Sequence, residues 1–360
     1  MVTDYLPVYP PLRLDHLARL TDDTGIMQHA LFTVPDPIHG YSIDDQARAL
    51  IVTLLHARLS GMQHAPRAAY TYMSFLRLAA NAGGTFHNFL SYARHWLDEQ
   101  GSQDAQGRAL WALAYAARFG IDGGLCGAAG DLFAAGVANV EALDAPRAWA
   151  FAIYGLYHQL CAERSETLLA KLRLLADRLV ALYDATAGPD WRWFEHILTY
   201  CNGKLPGALL LAYELTGEER YREVGLSALS WLMTVLFDDH GVLRLVGQHG
   251  WYPRGGTKAP FDEQCVDAQG TVEAALIALR ITREEIWRSR ARSAFDWFVG
   301  RNAHAISLID PATWGCFDGI TRERLNRNMG AESIVCYLLA YLDLVAAGIL
   351  TLEGAIPAPD

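Results

Sequence analysis

The sequence lacks the features that mark several protein classes. Its six cysteines among 360 residues lie far apart and form no CxxC pair. Neither a zinc ribbon nor a disulfide framework is therefore predicted, and we expect reduced thiols. No uncharged apolar run reaches the roughly 18 residues that span a bilayer, and no basic segment followed by an apolar one opens the chain. We expect a cytoplasmic protein that does not insert into a membrane.

Basic charge and cofactor motifs are also scarce. Thirty Lys and Arg stand against 40 Asp and Glu, a net charge of -10. A surface that neutralises phosphates needs the opposite balance, so no nucleic-acid partner is expected. The 12 histidines form no HxH or HExxH pattern, and neither a phosphate-binding loop nor Gly-x-Ser-x-Gly occurs. The sequence thus indicates no metal, no cofactor and no covalent serine or cysteine catalysis.

Apolar residues with helical spacing are abundant. Hydrophobic residues make up 52% and charged residues 19% of the chain, as in a packed globular protein. Spacings of i, i+3, i+4 and i+7 predict a mainly α protein, with short strands in loop segments such as 85–92 and 241–247. Six segments are apolar on nearly every face, which is typical of buried helices. They begin near Asp44, Gln106, Ala145, Gly207, Thr271 and Ala331.

Amphipathic segments alternate with these buried ones, and each would cover the outside of the core. They span about 66–80, 129–140, 165–183, 218–236 and 283–299, and segment 12–20 supplies a sixth. A recurring helix-loop-helix unit of this kind predicts an (α/α)6 barrel, a toroid of six helical hairpins with short β-strands in its loops. No Pro/Ser/Gly-rich linker divides the chain, so we expect one barrel domain over residues 1–360.

The loops that lead into the inner helices hold most of the unusual polar residues. In a hairpin ring, all these helix starts face the same end of the barrel. The first loop reads PDPIHGYSIDDQARAL and contains His39, Tyr41, Asp44 and Asp45. A helix N-terminus favours the ionised form of an aspartate, as a general base requires, so Asp44 and Asp45 are catalytic candidates. Alternatively, they only complement the helix dipole.

Later loops combine aromatic and polar residues, a pattern that suits a sugar because its C–H face stacks on rings while its hydroxyls need hydrogen-bonding partners. Aromatic residues at such spacing also occur in ordinary cores. The candidates for substrate binding, besides His39 and Tyr41, are Asp104, Arg108, Trp193, Glu195, Tyr200, Asn202, Trp251, Tyr252, Arg254, Asp262, Glu263, Gln264, Asp318 and Asn328.

Glu332 opens the last apolar helix. We expect burial to raise the pKa of its carboxyl, so that it stays protonated and acts as general acid. The alternative is a structural role in which Glu332 hydrogen-bonds the loop backbone at the rim.

Five stretches resemble the six-hairpin, (α/α)6 glycosidase-like proteins found fused to or beside bacterial glycosyltransferases. They are LTDDTGIMQHALFTVPDPIHGYSIDDQARAL, SQDAQGRALWAL, RWFEHILTYCNGKLPGALLLA, GWYPRGGTKAPFDEQCVDAQ and NRNMGAESIVCYLLAYL. The resemblance extends from about Leu17 to Leu342. It implies a carbohydrate substrate and a glycosyltransferase neighbour, and it does not identify the sugar, the linkage or the oligomeric state.

The chain is more loosely similar to the inverting endoglucanases of glycoside hydrolase family nine. That similarity implies that Asp44 and Asp45 match an aspartate pair whose role is that of the base, and that Glu332 matches a glutamate acid on the last inner helix. The closer group carries an acidic residue and an asparagine where this chain has Cys201 and Gln46. A needed carboxylate missing at Cys201 would alter or abolish activity.

Three functions follow as hypotheses. The first is a glycoside hydrolase of the inverting type acting on an oligosaccharide or glycan. The second is a sugar epimerase or isomerase, for which His29, His39, His196 and His249 are the proton-shuttling candidates, provided that two of them converge on the cavity and the carboxylates lie far away. The third is a non-catalytic glycan-binding partner of a glycosyltransferase. Fold alone does not choose among them.

Overall fold

The structure is a computed structural model that describes residues 9–64 and 66–355, and this part of the chain contains twelve α-helices. The even-numbered helices are α2 (Ile43–Leu59), α4 (Gln103–Phe119), α6 (Pro146–Ala162), α8 (Lys204–Thr216), α10 (Cys265–Thr282) and α12 (Ala331–Ala346). The odd-numbered helices are α1 (Asp15–Leu20), α3 (Arg67–Ala79), α5 (Gly123–Gly136), α7 (Glu166–Thr186), α9 (Glu219–Leu236) and α11 (Glu285–Asp296).

The even-numbered helices form a closed inner ring. Each contacts the next along the chain, and α12 contacts α2, so the ring closes. Their apolar residues are buried on almost every face, as at Ala47, Leu50 and Leu54 of α2. The odd-numbered helices bury one stripe against this ring and expose the other face. The predicted (α/α)6 barrel is confirmed, including α1 as the sixth outer helix.

Four helices begin at least three residues earlier than the sequence pattern predicted, among them α4, which begins at Gln103 and not at Gln106. Helices α8 and α10 begin at Lys204 and Cys265, before Gly207 and Thr271, because polar residues in their first turns conceal the apolar periodicity. Helix α5 begins at Gly123, where the side chain of Asp122 accepts hydrogen bonds from the backbone amides of Gly124 and Leu125. The chain then continues after α5 as a 3-10 helix, Val137–Ala142.

Short antiparallel strand pairs connect the long loops. Strands β1 (His29–Leu31) and β2 (Val34–Asp36) form a hairpin, as do β9 (Leu350–Thr351) and β10 (Gly354–Ala355). The other pairs join β3 (Tyr41–Ser42) to β4 (Phe89–Leu90), β5 (Ile197–Leu198) to β6 (Tyr252–Pro253), and β7 (Glu263–Gln264) to β8 (Gly319–Ile320). The strand predicted within 241–247 is absent, since Leu243 forms only a single bridge with Phe237.

The β3–β4, β5–β6 and β7–β8 pairs thus tie the loops of neighbouring hairpins together at one end of the barrel. We call this end, where the inner helices begin, the front, and the opposite end the back. The single domain predicted over 1–360 includes residues 1–8, 65 and 356–360, which lie outside the described residues. Within the ranges that are described, no helix is both long and apolar enough to cross a membrane.

Candidate active site

A cavity of about 580 Å³ opens at the front of the barrel. It is bordered by the first turns of several inner helices and by the loops before them. Its walls are polar, and they carry four carboxylates and one arginine. The lining residues are Asp44, Ser102, Gln103, Asp104, Arg108, Asp144, Ala145, Tyr200, Gln248, Trp251, Gln264, Val266 and Glu332.

Asp44 occupies the first turn of α2 and faces this cavity. Its Oδ1 is buried and has no hydrogen-bond partner, while its Oδ2 lies 3.7 Å from Nε of Arg108. Burial raises the pKa of Asp44, and the charges of Arg108 and Arg48 oppose that shift without cancelling it. Asp44 is thus a carboxyl group with one unpartnered oxygen and a pKa above its ordinary value.

The next residue, Asp45, points away from the cavity. Its Oδ2 accepts a hydrogen bond of 2.7 Å from the Ser42 hydroxyl, and its Oδ1 accepts one of 2.9 Å from Arg48. The Ser42 hydroxyl in turn accepts from the Asp45 amide, which caps α2. Burial raises the pKa of Asp45 to about 6. Its contacts are those of a helix cap and of a buried ion pair with Arg48.

Glu332 lies in the first turn of α12, beside α2, and lines the cavity. Its Oε2 accepts a hydrogen bond of 3.1 Å from the same nitrogen of Arg48 that contacts Asp45. The Glu332 side chain is 44% exposed. The desolvation expected from the sequence is therefore not found, because the carboxylate combines an arginine partner with access to water.

Two buried arginines and two thiols lie below these carboxylates. Arg108 donates to Sγ of Cys201 and Arg48 donates to Sγ of Cys336, both at 3.4 Å. Burial raises the pKa of Cys201 to about 11, and Arg108 opposes it. Burial also raises the pKa of Cys336. Both sulfurs are therefore neutral thiols near neutral pH, and the arginine charges remain available to the carboxylates.

The opposite wall supplies hydrogen-bonding groups and an indole ring. The Tyr200 hydroxyl donates to Asp104 at 2.8 Å, and the Gln264 amide donates to Gln248 at 2.9 Å. The Trp251 ring lies 6.5 Å from the Tyr200 ring, between centroids. This wall resembles a polyol site, in which a flat ring stands beside several donors and acceptors.

Other sequence candidates have structural contacts outside the cavity lining. Trp193 is fully buried, so it is not accessible to a sugar. Glu195 pairs with Arg147 at 2.9 Å, and Arg254 donates to the Thr186 carbonyl of an outer helix. Tyr252 packs edge-on against Trp191.

Several polar candidates stabilise the front loops from within. Asn202 donates to Asp267 at 3.2 Å, and burial raises the pKa of Asp267 to about 7. Glu263 accepts from the indole of Trp297 at 2.6 Å and from the Leu245 amide at 3.0 Å. These buried carboxyl groups connect loops to helices.

The remaining candidates lie around the rim. Asn328 donates to Asp318 at 2.7 Å, and burial raises the pKa of Asp318 to about 6. The Tyr41 hydroxyl donates to Asp22 at 2.5 Å, and Asp262 lies 3.4 Å from His249.

Two histidines of the first loop meet near Glu332. The ring centroids of His29 and His39 are 4.5 Å apart, and Nδ1 of His29 accepts from the Asn328 amide at 2.8 Å. Burial lowers the pKa of His29, the neighbouring His39 lowers it further, and the charges of Asp36 and Glu332 oppose the shift. Neither ring borders the front cavity. His196 and His249 are both exposed.

Sequence reasoning did not identify Arg48, Asp144 or Gln248. Arg48 follows Asp44 by one helical turn, and this spacing could have indicated that the two share a face. In the described residues, no cluster of three His, Cys, Asp or Glu side chains could hold a metal ion.

The comparisons with known proteins find the fold in carbohydrate-active enzymes. No family model matches the chain, and no curated protein matches it significantly. A sugar epimerase from a ruminal bacterium superposes with a TM-score of 0.72 at 13% identity, covering 93% of this chain and 95% of that one. A D-mannose isomerase gives 0.68 at 13% identity, with 92% and 96% covered. An α-mannanase of glycoside hydrolase family 76 from Bacteroides thetaiotaomicron gives 0.61 at 10% identity, with 85% and 86% covered.

At these identities the likeness shows the fold alone, a six-hairpin (α/α)6 barrel shared by sugar epimerases and glycosidases.

Proposed function

We propose that this protein is a glycoside hydrolase, with Asp44 as general acid and Glu332 as general base. The observation that carries the proposal is that both carboxyl groups line one cavity, each beside its own buried arginine, Arg108 or Arg48. Hydrolysis of a glycosidic bond uses two carboxyl groups in different protonation states.

Asp44 has the properties of the acid. Burial raises its pKa, and its Oδ1 has no protein partner. Because its side chain is 27% exposed and lines the cavity, a protonated carboxyl group in this position can donate its proton to the glycosidic oxygen as the C1–O bond breaks. This role is the reverse of the one that the sequence suggested for Asp44.

Glu332 has the properties of the base. Its Oε2 accepts a hydrogen bond from Arg48, and its exposed fraction of 44% gives it contact with water. The carboxylate would take a proton from a water molecule while that water attacks C1. The two steps together consume one water and release two sugar hydroxyl compounds. Direct attack by water inverts the anomeric carbon, whereas a carboxylate nucleophile would retain it.

The opposite wall would hold the sugar. Trp251 offers a ring face, and Tyr200, Asp104, Gln248 and Gln264 offer donors and acceptors for hydroxyl groups. A cavity of about 580 Å³ accommodates one or two sugar rings, so the proposed substrate is an oligosaccharide or a glycan end.

The test is a panel of α- and β-linked oligosaccharides incubated with the wild type, Asp44→Asn and Glu332→Gln. We expect the wild type to release sugar and each variant to lose roughly 10²–10⁴-fold in kcat. The matched control is Asp131→Asn, an exposed position on outer helix α5, which should keep full activity. NMR of the newly released anomer distinguishes inversion from retention.

A separate measurement tests the assignment of Asp44 as the acid and Glu332 as the base. Replacing Asp44 should harm substrates with poor leaving groups much more than aryl glycosides with acidic leaving groups, whereas replacing Glu332 should harm both equally. Full activity of both variants would exclude the assignment. Glycan binding without turnover of any glycan would favour the non-catalytic function.

A second candidate, a sugar epimerase or isomerase, is favoured by one observation, the His29–His39 pair beside Glu332. Histidines at hydrogen-bond reach of one carbon could remove and return a proton. We rank it second because carboxylates, not these rings, border the cavity. Free aldoses incubated in D₂O test it: deuterium incorporation that is lost in His29→Gln but kept in Asp44→Asn would favour the epimerase.

A further inference from the structure

The barrel contains a second cavity, of about 590 Å³, at the back. It lies among the C-terminal halves of the inner helices, so it does not share its lining with the front cavity. Apolar side chains such as Leu55, Leu211, Ile277 and Leu339 form its walls, together with the rings of Trp111, Tyr115, Phe119, Tyr154 and Tyr157.

Arginines surround this cavity, and several have no acidic partner. Arg58, Arg118 and Arg283 line it, and none forms a salt bridge with a carboxylate of the described residues. The guanidinium groups of Arg58 and Arg118 lie 4.2 and 4.6 Å from the Phe119 ring centroid. Arg118 also contacts Nδ1 of His158 at 3.4 Å.

Most of the carboxylates at this end form ion pairs. Glu273 pairs with Lys204, and Glu285 pairs with Arg288 at 2.8 Å. Arg280, which also lines the cavity, pairs with Glu214 at 2.6 Å. Asp343 is buried, and burial together with the charge of Glu273 raises its pKa well above the ordinary value. Among the described residues, Arg58, Arg118 and Arg283 thus outnumber Asp343, the one lining carboxyl group without a salt bridge, so the uncompensated charge at the cavity is positive.

Two buried hydroxyl groups in the same cavity lack partners. The hydroxyls of Tyr115 and Tyr154 are inaccessible to solvent and form no hydrogen bond with the described protein atoms. Tyr115 is 5% exposed and Tyr154 is 2% exposed. A buried hydroxyl without a partner costs free energy, so a polar ligand atom that reached either group would gain a hydrogen bond that the protein itself does not supply.

Complementing the negative ends of the inner helices could by itself explain Arg58 and Arg118, which lie in the last turns of α2 and α4. That role does not require an open volume between them, nor does it explain the unpartnered tyrosine hydroxyls. Surface arginines at other helix ends, such as Arg77 of α3, border neither cavity.

We propose that the back cavity binds an amphipathic organic anion, whose apolar body lies among the rings and whose carboxylate or phosphate group contacts Arg58 and Arg118. The body would occupy the space between Trp111, Tyr115 and Leu339, and the head group would remain at the mouth. This site is independent of the hydrolase proposed for the front cavity, and it would survive if that proposal failed.

Calorimetric titration of the whole protein tests the proposal with five probes. Phenyl phosphate and octanoate carry the body and the charge, phenol and 1-octanol carry the body alone, and inorganic phosphate carries the head alone. We expect at least one of the two amphipathic anions to bind at least tenfold more tightly than its neutral analogue and than inorganic phosphate, since charge-assisted hydrogen bonds supply the difference. Preferential binding of phenyl phosphate would indicate a phosphate head group on an aromatic body, and preferential binding of octanoate would indicate a carboxylate on an aliphatic body.

Variants assign the binding to the back cavity. Arg58→Gln with Arg118→Gln should weaken the anion roughly tenfold or more, and Tyr115→Phe should weaken it a few-fold. Arg77→Gln, a helix-end arginine remote from the cavity, is the control and should change nothing. Equal binding of charged and neutral probes, no binding of either anion, or binding unchanged in the double arginine variant would overturn the proposal. Circular dichroism of each variant excludes unfolding as the cause.

Discussion

The two ends of the barrel differ in charge and in the length of their connections. At the front, long segments such as 187–203, 237–264 and 297–330 precede the inner helices, and Asp44, Asp104 and Glu332 line one cavity there. At the back, short turns such as 217–218 and 283–284 suffice, and arginines surround the opening. The inner helices all point the same way, so their positive ends favour acids at the front and their negative ends favour bases at the back. The direction of the helices thus sets the sign of each opening, while loop length determines how many side chains can converge there.

One buried ion pair connects these regions. Lys204 begins α8 at the front, lies 4.0 Å from the Trp111 ring centroid and pairs with Glu273, which lines the back cavity. Its side chain is only 2% exposed. The interior of the ring therefore contains a charged pair between the front and the back, although the inner helices around it are mostly apolar.

Breaking this pair should have the largest effect on stability. Lys204→Met leaves Glu273 buried without its cation, and we expect a loss of about 3–5 kcal/mol in the free energy of unfolding. Urea denaturation measures the loss. The matched control is Lys171→Met, which breaks the pair with the 57% exposed Glu141 and should cost about 0–1 kcal/mol. The double variant Lys204→Met/Glu273→Leu should recover most of the stability. Equal losses for Lys204→Met and Lys171→Met would contradict a special role for the connection.

The front should also determine how stability depends on pH. Burial raises the pKa of Glu263 from 4.5 to about 7 in the folded state. Below pH 4.5 the carboxyl group is protonated in both the folded and the unfolded protein, so folding buries no charge there. As pH rises from 4.5 to 7, the unfolded state loses its proton first and the free energy of unfolding falls, by at most about 3 kcal/mol. Glu263→Gln should flatten that decline in denaturation curves taken across the window. Glu163→Gln, at an exposed position, is the control and should leave the slope unchanged. A wild-type stability that increases over this range would contradict the assignment.

The smallest effect concerns the wall of the front cavity. Tyr200→Phe removes the hydrogen bond to Asp104 but keeps the ring, which lies 4.7 Å from the Arg147 guanidinium. If the front cavity binds the sugar, KM should rise several-fold, equivalent to about 0.5–1.5 kcal/mol, and anion binding at the back should not change. Tyr70→Phe removes a similar hydroxyl bond, to Asp122 on the outer surface, and should leave both unchanged. An equal response of the two cavities to Tyr200→Phe would contradict their independence.

The fold could be predicted from the sequence because the inner helices are apolar on all faces while the outer helices are apolar on one. The first turns of α8 and α10 could not be predicted, because residues such as Lys204, Cys265 and Asp267 contact buried polar partners and so lack the apolar spacing of a helix. Loop position also predicted that Asp44, Asp104 and Glu332 lie at one end of the barrel.

The sequence did not reveal which hydrogen-bond and ion-pair partners the polar side chains of the two cavities have. Asp44 and Asp45 are adjacent and chemically identical, yet Asp44 faces the cavity while the Asp45 carboxylate accepts a hydrogen bond from Ser42, the cap of the helix. Their different environments depend on Arg48, Arg108 and Ser42, which come together only in the folded ring. The back cavity had no sequence signal, because Arg58 and Arg118 are ordinary basic residues for helix C-termini and only folding brings them near one another.

The contact of α12 with α2 closes the ring, and the proposed acid and base lie on either side of that seam. Arg48 reaches across it to Glu332, so the first and last inner helices together form the proposed reaction centre. A chain that has been synthesised only as far as α10 would hold Asp44 but no Glu332. Turnover would then begin only when the last hairpin docks, and enzymatic activity would serve as a direct measure of completed ring closure during synthesis or refolding.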